Sequence, residues 1–177
     1  PFGYGLSYTQ FKQDITSVEG SVKDGLTIKI TSENIGSVAG KDVIQLYMGL
    51  PYVFGGIEKS HVQLVDFAKT PVLAAGESHT ATFQVSAYDL ASYDFNDANA
   101  NGFCGYETEA GTYRIIAGKN SHEAYAQTSV ELAAEDAIKF EKDPVTDTLV
   151  VNRYTTVLAA DAQERTYSFW DADYRLQ

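Results

Sequence analysis

The segment Asp97-Ala98-Asn99-Ala100-Asn101-Gly102 puts an oxygen-bearing side chain at alternate positions ahead of a glycine. That is how the first half of a calcium loop brings carboxylates and amides onto one hard cation. The second half departs from the pattern: the twelfth position is Thr108, with Glu107 and Glu109 on either side, so the bidentate glutamate is out of register. A polar loop between two strands accounts for the same residues, and no metal ligand is assigned. His61, His79 and His122 stand far apart without metal-ligand spacing, and Cys104 has no base beside it in sequence. Strand-surface, loop and packing roles are expected for them, and no cofactor is implied.

The run Gly49 to Lys59 (GLPYVFGGIEK) is of another kind: Tyr52, Val53 and Phe54 sit between Pro51 and a Gly55-Gly56 hinge. Apolar side chains on a loop need a partner. Packing against a neighbouring domain is the first expectation; walling a ligand site is the second, because aromatic faces suit apolar ligand surfaces. Tyr52, Phe54 and Glu58 are therefore the candidate substrate-rim or interdomain residues.

These groups need a scaffold, and the composition provides for one. The chain has 177 residues, 44% of them hydrophobic and 12% aromatic, with 12 Tyr and 9 Phe. A chain of this length buries roughly two-thirds of its unfolded surface, and the aromatic bias favours strands. With one cysteine no intrachain disulfide can form, which fits a cytoplasmic chain better than a secreted one. A net charge of −11 repels phosphate backbones and anionic headgroups, so neither nucleic acid nor membrane is an expected partner. No stretch approaches the roughly 20 apolar residues that span a bilayer. The opening PFGYGLSYTQF has neither a basic nor an apolar leader region and reads as an excision from a longer chain.

Period-two alternation predicts the strands. Leu26, Ile28 and Ile30 alternate with Thr27, Lys29 and Thr31 before a turn at Asn34-Ile35-Gly36, and Val43 to Met48 is a continuous central-strand run. Further strands are predicted through Phe11 to Val18, His61 to Phe67, Thr80 to Ser86, Gly111 to Gly118 and Tyr125 to Leu132. About seven short strands with turn signals between them specify an all-β sandwich of the fibronectin type III or immunoglobulin kind. After Leu132 the chain turns Ala/Glu/Asp-rich, with a turn expected at Lys142-Asp143-Pro144.

The run Pro1-Phe2-Gly3-Tyr4-Gly5-Leu6-Ser7-Tyr8-Thr9 resembles the segment that closes the α/β sandwich domain of family 3 glycoside hydrolases, the β-glucosidases and their relatives. Asn34 to Tyr47 (NIGSVAGKDVIQLY), Glu58-Lys59, Leu64 to Phe67, Leu73 to Ser78, Tyr88 to Asp94 and Glu109 to Tyr113 resemble, in order, the fibronectin type III-like domain that follows it. The resemblance implies residues 1–10 as the end of a preceding α/β domain, 11–132 as the sandwich and 133–177 as a linker or arm. Many members carry a Trp before the E-x-G-x-Y strand; here the segment is Phe103-Cys104-Gly105-Tyr106, similar to the subgroup whose catalytic barrel follows this module.

Retaining glycoside hydrolysis needs two carboxyl groups about 5–5.5 Å apart in a sugar-shaped pocket. The family's nucleophile is an Asp on the barrel. No S-D-W-type segment occurs here, and Trp170-Asp171 lacks the family's flanking residues, so no catalytic residue is assigned. The expected role is a non-catalytic structural module whose partners are the other domains of a parent glycosidase, with oligosaccharide met through the parent's active site. The alternatives are an autonomous carbohydrate-binding module, with Tyr47, Tyr106, Tyr113 and Tyr125 as candidate platform residues, and an adhesion or assembly domain.

Overall fold

The computed structural model of the chain describes residues 1–151. Trp170-Asp171 and the part of the expected 133–177 arm from residue 152 onward lie outside them. In chain order the strands are β1 (Phe11–Ser21), β2 (Gly25–Asn34), β3 (Val43–Gly49), β4 (Gln63–Lys69), β5 (Ser78–Val85), β6 (Ser92–Asp94), β7 (Gly105–Thr108), β8 (Gly111–Gly118), β9 (Ala124–Leu132) and β10 (Ile138–Phe140). One antiparallel sheet runs β1-β2-β5, a second β4-β3-β8-β9, and a small third β10-β7-β6. The first two sheets supply the seven strands of the expected sandwich.

Alternation is the cause. On β2, Leu26, Ile28 and Ile30 are inside while Thr27, Lys29 and Thr31 lie between core and solvent. The same face of β5 presents Ala81, Phe83 and Val85, paired in register with Ile30, Ile28 and Leu26. Against this layer pack Ile44, Leu46 and Met48 of β3 and Tyr113, Ile115 and Ala117 of β8. Each fully buried aliphatic side chain contributes roughly 1.5–3 kcal/mol. β3 is covered on both faces, as a run interrupted only by the polar Gln45 predicts.

Polar residues close one end of the core. Asn34, fully buried, donates through Nδ2 to the carbonyls of Val38 and Leu73, both at 2.9 Å, and accepts from Thr9 Oγ1 at 2.8 Å. Asp42 joins the two sheets by accepting from Gln13 Nε2 at 2.7 Å and Ser32 Oγ at 2.6 Å. At the opposite turn Tyr113 Oη donates to the Glu109 carbonyl at 2.6 Å, a corner that recurs in immunoglobulin-like sandwiches.

The third sheet has no counterpart among the predicted strands. Its strands are three and four residues long, too short for a period to register. Aromatic packing holds it together: Tyr88, presented by a one-turn 3-10 helix (Tyr88–Leu90), meets Tyr106 and Phe140 edge-on at 5.3 and 5.1 Å, and Tyr93 meets Tyr106 at 5.0 Å. β10 belongs to the stretch after Leu132 and folds back onto β7. The expected turn at Asp143 is present: its Oδ1 accepts from the amides of Val145 and Thr146 at 2.7 and 3.1 Å, and these bonds, Thr146's first, hold its carboxyl below the ordinary range.

Candidate functional site

The β3–β4 connection is firm at its base and open at its tip. Ile57 is buried, and the Lys59 side chain, 4% exposed, donates to the Pro51 carbonyl at 2.7 Å and pairs with the Glu109 carboxylate. This fastens both ends of the loop to the start of β8. At the tip Gly55 adopts φ +82°, a conformation that favours glycine, and the Gly56 amide closes a turn onto the Val53 carbonyl at 2.9 Å. Val53 and Phe54 are left 77% and 95% exposed. Tyr52 and Glu58 are brought together, the phenol donating to Glu58 Oε1 at 3.3 Å. Partial burial first, and then the facing carboxylate, raise the Tyr52 phenol above its ordinary value. Phe54 stands apart from both, pointing an apolar ring into solvent.

The N-terminal segment forms the other unusual surface. The Phe2 carbonyl accepts from the Ser121 amide at 2.9 Å, and the Gly3 carbonyl accepts from Gln45 Nε2 at 3.0 Å; Gln45 is itself held by Tyr47 Oη at 2.8 Å. Gly3 has φ +77°, which strains any other residue, and a Cβ there would push on Gln45 Oε1 at 2.2 Å and Tyr47 Oη at 2.6 Å. Beyond this anchor Leu6 and Tyr8 are 90% and 101% exposed. The segment and the outer face of β3 enclose a cleft of about 760 Å³ that reaches Leu64, Phe67 and Tyr125.

His61 and His122, distant in sequence, line one cleft of about 450 Å³ with Arg114, whose guanidinium donates to the His61 carbonyl at 3.1 Å; His79 lies on β5. Among the described residues no group of three or more His, Cys, Asp or Glu side chains is placed to share a metal ion. Cys104 is a half-buried free thiol. In the half-motif loop the Asp97 carboxylate is taken up by the backbone, accepting from the amides of Asn101 and Gly102 at 2.8 and 3.0 Å. Of the four candidate platform tyrosines, Tyr47 and Tyr113 are core residues, 2% and 1% exposed, and Tyr106 is enclosed in the ring cluster, so they present no planar row. The Lys59–Glu109 anchor escaped the sequence because its members are 50 residues apart.

A family model described as "Fibronectin type III-like domain" matches residues 42–121. The β-glucosidase of Ruminococcus albus is 41% identical over 150 residues, which make up 82% of this chain and 15% of that protein. The β-glucosidase of Paenibacillus barengoltzii, a solved structure, superposes with a TM-score of 0.65 at 36% identity, covering 76% of this chain and 15% of that one. β-Glucosidase 3B of Thermotoga neapolitana, solved in complex with α-D-glucose, superposes with a TM-score of 0.62 at 34% identity over 73% of this chain and 17% of its own. The chain thus spans about a sixth of the length of these relatives.

Proposed function

The chain belongs to the family 3 β-glucosidases as their fibronectin type III-like domain, and from that premise we propose that it is a non-catalytic module that buttresses the catalytic domains of such an enzyme and lends them its β3–β4 loop. The observation that carries this reading is the pairing of a locked base with an apolar tip: Lys59 is clamped to Pro51 and Glu109, yet Phe54 is 95% exposed. A loop serving only its own domain would bury that ring, because an exposed Phe forgoes roughly 1.5–3 kcal/mol of transfer free energy. A loop that completes a neighbouring surface must instead hold the ring out in a fixed place.

Residues 1–10 are the end of a preceding α/β domain, and Phe2, Tyr4, Leu6 and Tyr8 are the side chains that rest on it. Residues after Leu132 lead towards a catalytic barrel in the permuted order. Glu58, oriented by Tyr52, and Phe54 contribute to the rim of the sugar site, Phe54 as an apolar wall for a pyranose face. The reaction served is hydrolysis of a terminal β-linked sugar, with both catalytic carboxyls on other domains.

The test uses a panel of chromogenic β-glycosides, the purified chain, the full-length enzyme containing it, and that enzyme with Phe54→Ala. Turnover by the full-length enzyme alone, with a raised KM in Phe54→Ala, supports the reading. Turnover by the chain itself overturns it, and an unchanged KM removes the loop from the rim.

A further inference from the structure

Asp94 and Glu107 are the two acidic residues in the interior among the described residues, 1% and 4% exposed. In the β6–β7 register Asp94 faces Gly105 and Glu107 faces Ser92, so both side chains leave the same side of the small sheet as diagonal neighbours, while Tyr93 and Tyr106 occupy the other. The loop between the strands folds back over the carboxylates. The amides of Asn96 and Ala98 donate to Asp94 Oδ1 at 3.1 and 3.0 Å, and the side-chain amides of Asn99 and Asn101 donate to Glu107 Oε2.

That leaves each carboxylate half satisfied: Asp94 Oδ2 and Glu107 Oε1 are closed off from solvent and receive no hydrogen bond. Two buried carboxylates on one side of the same strand pair, each with its second oxygen unserved, are a costly arrangement unless a cation or a proton joins them. Lys139 does not fill the role, since its ammonium donates to the Asn101 carbonyl at 2.9 Å and lies over the Phe103 ring at 5.7 Å. Burial raises the Glu107 carboxyl above its ordinary value against the pull of Asn99, Asn101 and Lys139, and the Asp94 charge adds to the rise.

We propose that Asp94 and Glu107 bind a hard divalent cation of the calcium class beneath this loop, using their two free oxygens, with water filling the rest of its oxygen shell. The half-motif read from the sequence is then displaced rather than broken. Asp97 shapes the turn, and the ligands are the Asp before the motif and the Glu after it. With two carboxylates the site belongs to the weak class of calcium sites, with dissociation constants of about 10⁻⁴–10⁻³ M. Its occupancy ties β6 to β7 and steadies the segment leading to β8 and the Glu109 anchor.

The test is a terbium titration of the full chain, with Tyr93 and Tyr106 as sensitisers on the two ligand strands, followed by calcium displacement. Melting curves in calcium and in chelator at pH 7 run alongside. Saturable terbium emission displaced by calcium, a calcium-dependent rise in Tm, and loss of both in Asp94→Asn and Glu107→Gln are expected. The calcium effect should fade on acidification, as protons compete for Glu107. A wild-type chain silent to both metals well past the millimolar range overturns the proposal and leaves a proton between the carboxyls. Emission unchanged in folded forms of both variants also overturns it, since the metal would then sit elsewhere; the wild-type result stands even if a variant fails to fold.

Discussion

Replacing Lys59 with Met keeps the buried stem and removes the ammonium. Two groups then lose a partner: the Pro51 carbonyl, which accepted at 2.7 Å, and the Glu109 carboxylate. Removing one member of a buried ion pair typically costs about 3–5 kcal/mol. Glu109 is 23% exposed and keeps the Asn99 amide at 3.3 Å, so water and that amide recover part of the loss. A net cost of roughly 2–3 kcal/mol remains. With a urea m-value of about 2 kcal/mol/M, the midpoint should fall by roughly 1 M at constant m. Glu109→Gln should cost about 1–2 kcal/mol, and the double variant less than the sum, because the pair is lost only once. Chymotrypsin should also cut more readily at Tyr52 and Phe54, since the loop has lost its clamp. A midpoint shift under about 0.3 M, or costs that add with no coupling, would refute the anchoring argument.

Tyr113→Phe removes the 2.6 Å bond to the Glu109 carbonyl and should lower stability by about 1–2 kcal/mol, read by calorimetry as a fall in Tm of roughly 3–6 °C. Phe54→Ala should leave the Tm of the chain within about 1 °C, because the ring makes no interior contact to lose; a larger drop would show that the ring packs on its own domain. Glu107 has its folded-state pKa raised, so its protonated form favours the fold. That contribution is complete below the unfolded Glu value of about 4.3 and is lost as pH rises through the folded value. In chelator, the urea midpoint should therefore fall more, or rise less, from acid to neutral pH in the wild type than in Glu107→Gln.

Legibility followed length and period. Strands such as β2, with Leu26, Ile28 and Ile30 in phase, and β5, with Ala81, Phe83 and Val85, declare themselves because one face is buried in alternation along them. β4 was placed two residues early, since its pairing with β3 slips at Leu46/Tyr47 and no alternation can survive a bulge. β6, β7 and β10 are too short to show a period, and rings contributed by Tyr88, Tyr93, Tyr106 and Phe140, separated along the chain, hold them together. At the candidate site, Tyr52 and Phe54 were legible as apolar residues in a Gly/Pro loop. The Lys59–Glu109 clamp was not, and neither was the Asp94–Glu107 pair, which flanks the alternating Asp97 to Asn101 spacing instead of lying in it.

By itself the sequence determined the class of fold, the seven strands of the sandwich and the resemblance of the chain to one enzyme family, because burial periodicity and motif order are local properties written along the chain. Which polar groups end up served, and which are shut away without a partner, was decided only by the tertiary structure. Hydrogen bonding and desolvation are settled between residues far apart in the chain, as Lys59 and Glu109 are, and at the β6–β7 register, which buries Asp94 and Glu107 on one side of the strand pair with an oxygen of each unserved.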